Sequence, residues 1–306
     1  MTQAGGLMIF ARYDAKGFNI DKTLFPFESR FLTVPSGAKI HYVDEGSGPV
    51  LLLLHGNPTW SFLYRKIISE LKNNFRCIAP DYPGFGLSQA PNASYGFTPE
   101  EHMKTIKELV EALDLEDITL MMQDWGGPIG FGLAQSDPKR YSGFVIGNTF
   151  AWPLNSLGQK LFSHTMGGII GRSLALSCNG IVHFFMRKGV THRLDDQTYA
   201  MYMAPFHSIK SRSPTYIFPR ELRRIGGFLS RVENNMVRIA TKPALIVWGE
   251  KDFAFKTYER NKFEQIFSNH QTILLPDAGH FIQEDSPQQI CKAIRSWAQL
   301  HQENIT

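Results

Sequence analysis

Cysteine is scarce in this chain. Three residues, Cys77, Cys178 and Cys291, are spread over 306 positions, with no C-x-x-C pair and no metal-ligand spacing. A disulfide framework and a thiolate metal centre are therefore excluded as organising devices, and no metal or other cofactor is expected. Reduced thiols of this kind fit a cytoplasmic protein. Long apolar runs are missing too. No stretch approaches the ~18 residues that cross a bilayer. The nearest, 166–186, is interrupted by Arg172, Ser173, Ser177, Asn179 and His183 and reads as two packed helices. The first residues lack the charged-then-apolar order of an export signal: 1–6 are small and polar, and Arg12, Asp14 and Lys16 follow closely. Runs of like charge are absent as well. The formal charge is only +4, and Lys and Arg are scattered, which argues against a nucleic-acid partner. The expectation is a protein with neither nucleic-acid nor membrane partner, its oligomeric state left open, a homo-oligomer included. One absence is local: from Pro138 to Leu194 there is no Asp or Glu at all.

What is present is the composition of a globular protein, 43% hydrophobic and 20% charged. A hairpin is expected over 31–44, around Pro35-Ser36-Gly37. Short apolar runs follow at 50–55, 76–81, 118–124, 144–149, 244–250 and 272–276. The middle ones are nearly unbroken in apolar residues, as parallel strands buried on both faces require. Helical patterns lie between them, at 60–71, 99–113, 128–136, 258–267 and 287–300, the last opening with an N-cap serine and a proline, Ser286-Pro287. This alternation predicts a mostly parallel sheet flanked by helices. It stops near residue 150 and resumes near 240. Residues 1–149 and 240–306 are thus expected to form an α/β core, with 150–239 inserted as a helical cap over the strand ends.

Chemistry concentrates where strands end. The run Ile118-Thr-Leu-Met-Met-Gln-Asp124-Trp125-Gly126-Gly127-Pro128 is an apolar strand turning directly into a helix, the setting of a nucleophile elbow in an α/β-hydrolase fold. The serine-hydrolase pattern is G-x-S-x-G; here Met122 stands at the first glycine position and Asp124 at the serine. An isolated Asp before a helix is ordinarily a cap, so the assignment rests on its company. The strand 51–54 runs into His55-Gly56-Asn57-Pro58, which places the backbone N–H of Asn57, with that of Trp125, as an oxyanion hole; His55 itself reads as a structural turn histidine. Of ten histidines only His280 follows the final strand, in Ala278-Gly279-His280, and it is the candidate general base. Its carboxylate partner could follow the strand near 145 or that near 247. The first ends in Gly147-Asn148-Thr149 within the carboxylate-free segment, so Asp252 is assigned, with Glu250 as a weaker rival. The order Asp124, Asp252, His280 is nucleophile, acid, histidine.

With those residues in place, HGNPTWSFLYR (55–65), DYPGFGLS (81–88), QDWGGPIG (123–130), YMAPFHSIKSRSPTYIFPREL (202–222), WGEKDFAF (248–255) and DAGHFIQED (277–285) resemble haloalkane dehalogenases, from about residue 25 onward. The resemblance implies that the Asp124 carboxylate displaces halide from carbon to form an alkyl ester. It implies that the Asn57 amide and the Trp125 indole N–H hold the departing halide, and that His280, supported by Asp252, activates water to cleave the ester. The substrate class implied is a small apolar haloalkane, with water consumed and halide released. An epoxide hydrolase is the alternative on the same scaffold; it would need two cap tyrosines, drawn from Tyr199, Tyr202 and Tyr216. A luciferase-like monooxygenase and a silent ligand-binding scaffold are more distant alternatives. Met166, Ile169, Ile170, Leu174, Phe184, Phe185, Met201, Met203 and Phe206 in the cap are available as apolar lining, though many of them are needed to pack the cap on the core.

Overall fold

The computed structural model describes residues 18–302, so the reading of the first residues as lacking an export signal lies outside it. Eight strands form one sheet in the order β1-β2-β4-β3-β5-β6-β7-β8. They are β1 (Arg30–Thr33), β2 (Lys39–Glu45), β3 (Val50–Leu54), β4 (Arg76–Pro80), β5 (Ile118–Asp124), β6 (Tyr141–Thr149), β7 (Ala244–Gly249) and β8 (His270–Leu275). The expected hairpin is β1–β2, paired antiparallel with Phe31 opposite His41. Strand β2 pairs antiparallel with β4, and every later pairing is parallel.

The apolar runs become the central strands because they are covered on both faces. Leu51–Leu54 of β3 and all of β7 are buried. Each fully buried leucine contributes about 1.5–3 kcal/mol. The core helices are α1 (Arg65–Leu71), α2 (Pro99–Ala112), α3 (Gly126–Ser136), then α10 (Thr257–Ile266), α11 (Ile282–Asp285) and α12 (Pro287–Gln302). Helix α1 packs with α12 and α2 with α3. Helix α2 starts where Thr98 and Glu101 form a reciprocal capping box ahead of Pro99. Most strand and helix boundaries shift by one to three residues from expectation, and two helix starts differ for a visible reason. The helix expected from Trp60 opens as a 3-10 turn, Ser61–Tyr64. There the Asp81 carboxylate accepts from the Ser61 N–H at 2.7 Å and ties this turn to the loop after β4. Helix α3 begins at Gly126, before Pro128, because its two glycines lie within the first turn.

Between β6 and β7 the chain contributes only helices: α4 (Leu157–Met166), α5 (Ile169–Cys178), α6 (Gly180–Lys188), α7 (Asp196–Met203), α8 (Ile209–Arg224) and α9 (Gly226–Asn234), with short 3-10 turns. The apolar stretch 166–186 is α5 and α6, broken at Asn179 in the left-handed region (φ 56°). Helix α8 packs against both α4 and α5. The insertion is seated on the sheet by polar contacts to its backbone. Trp60 Nε1 donates to Met201 O (3.2 Å), the Phe281 N–H to Gly189 O (2.8 Å), and the Asp285 carboxylate accepts from Thr191 N. Tyr202 of α7 donates to the buried Glu284, which also pairs with Arg65.

Candidate active site

Strand β5 delivers Asp124 at its carboxyl end, where the backbone turns sharply. The strained residue of the elbow is Asp124 itself, with φ 52° in the left-handed region that non-glycine residues rarely adopt. Three glycines make room for it. A Cβ on Gly126 would lie 2.3 Å from Leu54 O, and one on Gly127 1.9 Å from the Thr149 hydroxyl. On the other side, a Cβ on Gly56 would lie 2.3 Å from Asp124 Cβ and Oδ1. Thr149 of β6 donates to the Asp124 carbonyl and fixes the turn from behind.

The Asp124 carboxylate lies between two sets of groups. The Asn57 N–H donates to Oδ1 at 2.8 Å, and the Trp125 N–H also hydrogen-bonds the carboxylate. Oδ2 faces His280, 3.6 Å from Nε2. Burial raises the Asp124 pKa above the usual carboxylate range, although His280 and the two N–H donors pull against it. Burial alone would depress His280. The Asp252 carboxylate, by charge and hydrogen bond, and then Asp124 outweigh that and hold the imidazole above its ordinary pKa. Asp252, fully buried after β7, lies 3.1 Å from His280 Nδ1. Glu250, by contrast, is solvent-exposed. The structure therefore brings Asp124, His280 and Asp252 together and leaves Glu250 outside.

Two side chains here were not singled out from the sequence. Asn148, at the end of β6, donates to Asp252 Oδ2 (2.9 Å) and to Gly249 O (3.0 Å), and accepts from Gly249 N (2.7 Å). It holds the Asp252 carboxylate in place against β7. Gln123, immediately before Asp124, donates to His280 O (3.1 Å) and lies 3.2 Å from His280 Nε2. Because the His280 carbonyl must meet an N–H, the amide orientation is fixed, and a donor faces Nε2. When the imidazole is neutral with Nδ1–H directed at Asp252, this donor meets the Nε2 lone pair. The signal for both was their position at a strand end beside the triad.

His55 behaves as the turn histidine expected. Nδ1 donates to Gly56 O (2.9 Å), Nε2 accepts from the Tyr82 N–H (3.2 Å), and burial pushes its pKa down to about 4. Asn57 and Trp125, both buried, line a cavity of about 190 Å³ together with Asp124. Its remaining walls are largely apolar, among them Phe150, Leu154, Phe162, Phe185 and Leu222. One Asn57 amide hydrogen goes to Thr215 O in the insertion (3.1 Å), leaving the second free. The Trp125 indole N–H has no acceptor among the described residues. The ring is held edge-on to Phe150 and against Phe218. None of Tyr199, Tyr202 and Tyr216 is on the cavity wall. Tyr202 is spent on Glu284 and Tyr199 on His183. Of the nine cap residues available as lining, only Phe185 is on the cavity wall; Ile169, Ile170, Leu174 and Phe184 are exposed. Among the described residues no group of His, Cys, Asp or Glu could hold a metal ion.

Comparison with known proteins places this geometry in context. A family model described as the alpha/beta hydrolase fold matches residues 49–287. Haloalkane dehalogenase 2 of Mycobacterium tuberculosis is 41% identical over 279 residues, 90% of this chain and 97% of that protein. A cis-3-alkyl-4-alkyloxetan-2-one decarboxylase of Shewanella oneidensis is 33% identical, covering 89% of each. The crystal structure of a haloalkane dehalogenase from Bradyrhizobium elkani superposes with a TM-score of 0.82 at 25% identity, covering 89% of this chain and 97% of that one.

Proposed function

The chain belongs to the haloalkane dehalogenases of the α/β-hydrolase fold, and on that premise we propose how its residues hydrolyse a carbon–halogen bond. Asp124 is the nucleophile. Its carboxylate displaces halide from carbon: the carbon–halogen bond breaks as the ester bond forms, and the halide leaves with the electron pair. The free Asn57 amide hydrogen and the Trp125 indole N–H, both neutral donors at the cavity wall, receive the halide. Each such bond to a charged acceptor contributes about 1.5–3 kcal/mol.

The ester then needs water. His280 takes a proton from water through Nε2, and hydroxide adds to the ester carbonyl carbon. The N–H groups of Asn57 and Trp125 stabilise the resulting oxyanion, each by about 3–4 kcal/mol. Collapse expels the alcohol, which recovers the proton from His280, and the regenerated Asp124 carboxyl loses its proton to solvent. Asp252 stabilises the transient imidazolium, and Asn148 holds Asp252. The helical insertion serves as the cap that closes the cavity and keeps water scarce around Asp124.

The observation that carries this reading is the Asp124 carboxylate on a strained elbow, with two N–H donors on one side and a buried, carboxylate-supported histidine 3.6 Å away on the other. A serine esterase would need a hydroxyl there. The epoxide reading lacks tyrosines on the cavity wall. The test offers 1-bromobutane, styrene oxide and a cis-dialkyl β-lactone in parallel. Bromide release is expected. Diol or carbon dioxide formation without bromide release would overturn the assignment.

A further inference from the structure

The cap face that does not line the cavity is unusual for a surface. Leu157 is 84% and Ile169 87% exposed, and Leu161, Ile170, Leu174 and Phe184 are exposed beside them on α4, α5 and α6. Leu157 and Leu161 are one helical turn apart on α4, as are Ile170 and Leu174 on α5, so each pair shares a face. The opposite faces pack against α8. Among the described residues no helix is long and apolar enough to cross a membrane, and α5 and α6 meet at 92°. The sequence led to the expectation of no membrane partner; it did not show that these apolar side chains would be left outside.

The charge around them is equally one-sided. Residues 150–239 carry twelve Lys or Arg against four Asp or Glu, net +8, while the whole chain is +4 and the remainder therefore −4. Lys160, Arg172, Arg187, Lys188, Arg223 and Arg224 are exposed, and among the described residues none of them meets a carboxylate; Arg223 meets only the His164 ring (3.0 Å). The carboxylate-free stretch that removed any acid near residue 145 is also what leaves these cations unneutralised.

We propose that this cap face lies on an anionic lipid bilayer, with the exposed Leu and Ile side chains set among the acyl chains and the surrounding cations on the headgroups. Exposed aliphatic residues within an excess of Lys and Arg match the chemistry of an interfacial, non-spanning attachment. A second copy of this chain fits the face less well, because like cations would be brought together. The cavity opens at the same place. Gly158 on α4 and Phe253 are the exposed members of its wall, and Phe253 lies edge-on to Phe184. An apolar substrate dissolved in the bilayer would reach Asp124 without crossing water. That consequence rests on the proposed reaction; the attachment does not.

The test is co-sedimentation of the full chain with vesicles of phosphatidylcholine alone and of phosphatidylcholine mixed with phosphatidylglycerol. Binding is expected to the anionic vesicles at about 0.1 M salt and to weaken as salt shortens the reach of the charges. Combining Leu161→Gln, Ile169→Gln and Ile170→Gln should abolish it while leaving bromide release from dissolved 1-bromobutane intact. Should that variant fold poorly, Lys160→Gln with Arg172→Gln and Arg224→Gln, all exposed, provides the second arm. It should lower the partition about fivefold per cation, roughly 100-fold together. Absence of wild-type binding, equal binding to both vesicle types, or undiminished binding of these variants would overturn the proposal. So would light scattering that shows a dimer abolished by the glutamines in a protein that ignores vesicles.

Discussion

A Cβ placed on Gly56 would sit 2.3 Å from both Cβ and Oδ1 of Asp124, where ordinary contact begins near 3.4 Å. In a Gly56→Ala variant about 1.1 Å must therefore be found. Gly56 cannot readily supply it. Its carbonyl accepts from the Thr59 N–H (3.1 Å), the Thr59 hydroxyl (3.0 Å) and His55 Nδ1 (2.9 Å). Asp124 is the group that moves, and movement breaks its 2.8 Å bond from the Asn57 N–H. A displacement of this size at the reacting atom typically costs about 100-fold in rate, and loss of an oxyanion donor costs a similar factor or more. Overpacking costs about 1–3 kcal/mol of stability. The assay is bromide release from 1-bromobutane alongside urea unfolding. Gly226→Ala is the control, since nothing lies within 4 Å of its Cβ, and turnover there should be unchanged. If Gly56→Ala retains wild-type turnover, the placement of Asp124 against this loop is wrong. A variant too unstable to fold would show in the urea curve, separately from the rate.

His280→Phe should accumulate the alkyl-enzyme, because ester formation does not need the base; mass spectrometry that finds no adduct after incubation with a bromoalkane would contradict the two-step route. Asn148→Ala should slow ester hydrolysis and destabilise the fold by about 1–3 kcal/mol, since Asp252 loses a buried donor and Gly249 two hydrogen bonds to the same amide; rapid single-turnover hydrolysis would refute it. The pH dependence follows from the sign of the His280 shift. The base works neutral, and Asp252 holds its pKa up against burial, so hydrolysis of the ester should slow along an acid limb as His280 is protonated, and a rate that does not fall in acid would count against the assignment. Gln123→Leu removes the donor facing Nε2, which favours the imidazolium; the same limb should move to higher pH while ester formation is spared, and an unmoved limb would show that Gln123 only packs.

Much of the site was legible because it lies where strands stop. Apolar runs fixed where β3, β5 and β7 end, and chemistry-bearing residues at those ends had few alternatives. The absence of carboxylates from 138 to 194 pointed to Asp252 without knowledge of distance. Less legible were the residues acting through others. Asn148 stood out only as the absence of a carboxylate after β6; its part, holding Asp252, is visible only when β6 and β7 are adjacent with Gly147 opposite Val247. Gln123 entered only as the strand residue before Asp124. The cap was harder still. Helical periodicity shows that a segment has an apolar face, but not whether that face meets a cavity, a neighbouring helix or solvent. Ile169 and Ile170 were candidates for lining and are outside.

By itself, then, the sequence determined the class of fold and pointed to Asp124, His280 and Asp252 as the proposed nucleophile, base and acid, because these depend on residue type at strand ends, which is a local property. Strand order, the left-handed backbone of Asp124, the closeness of Gly56 to its carboxylate, and the outward face of α4 and α5 depend on which distant segments share space. Only the tertiary structure could decide those, since packing between elements far apart in the chain, not the preferences of neighbours, sets which side chains meet.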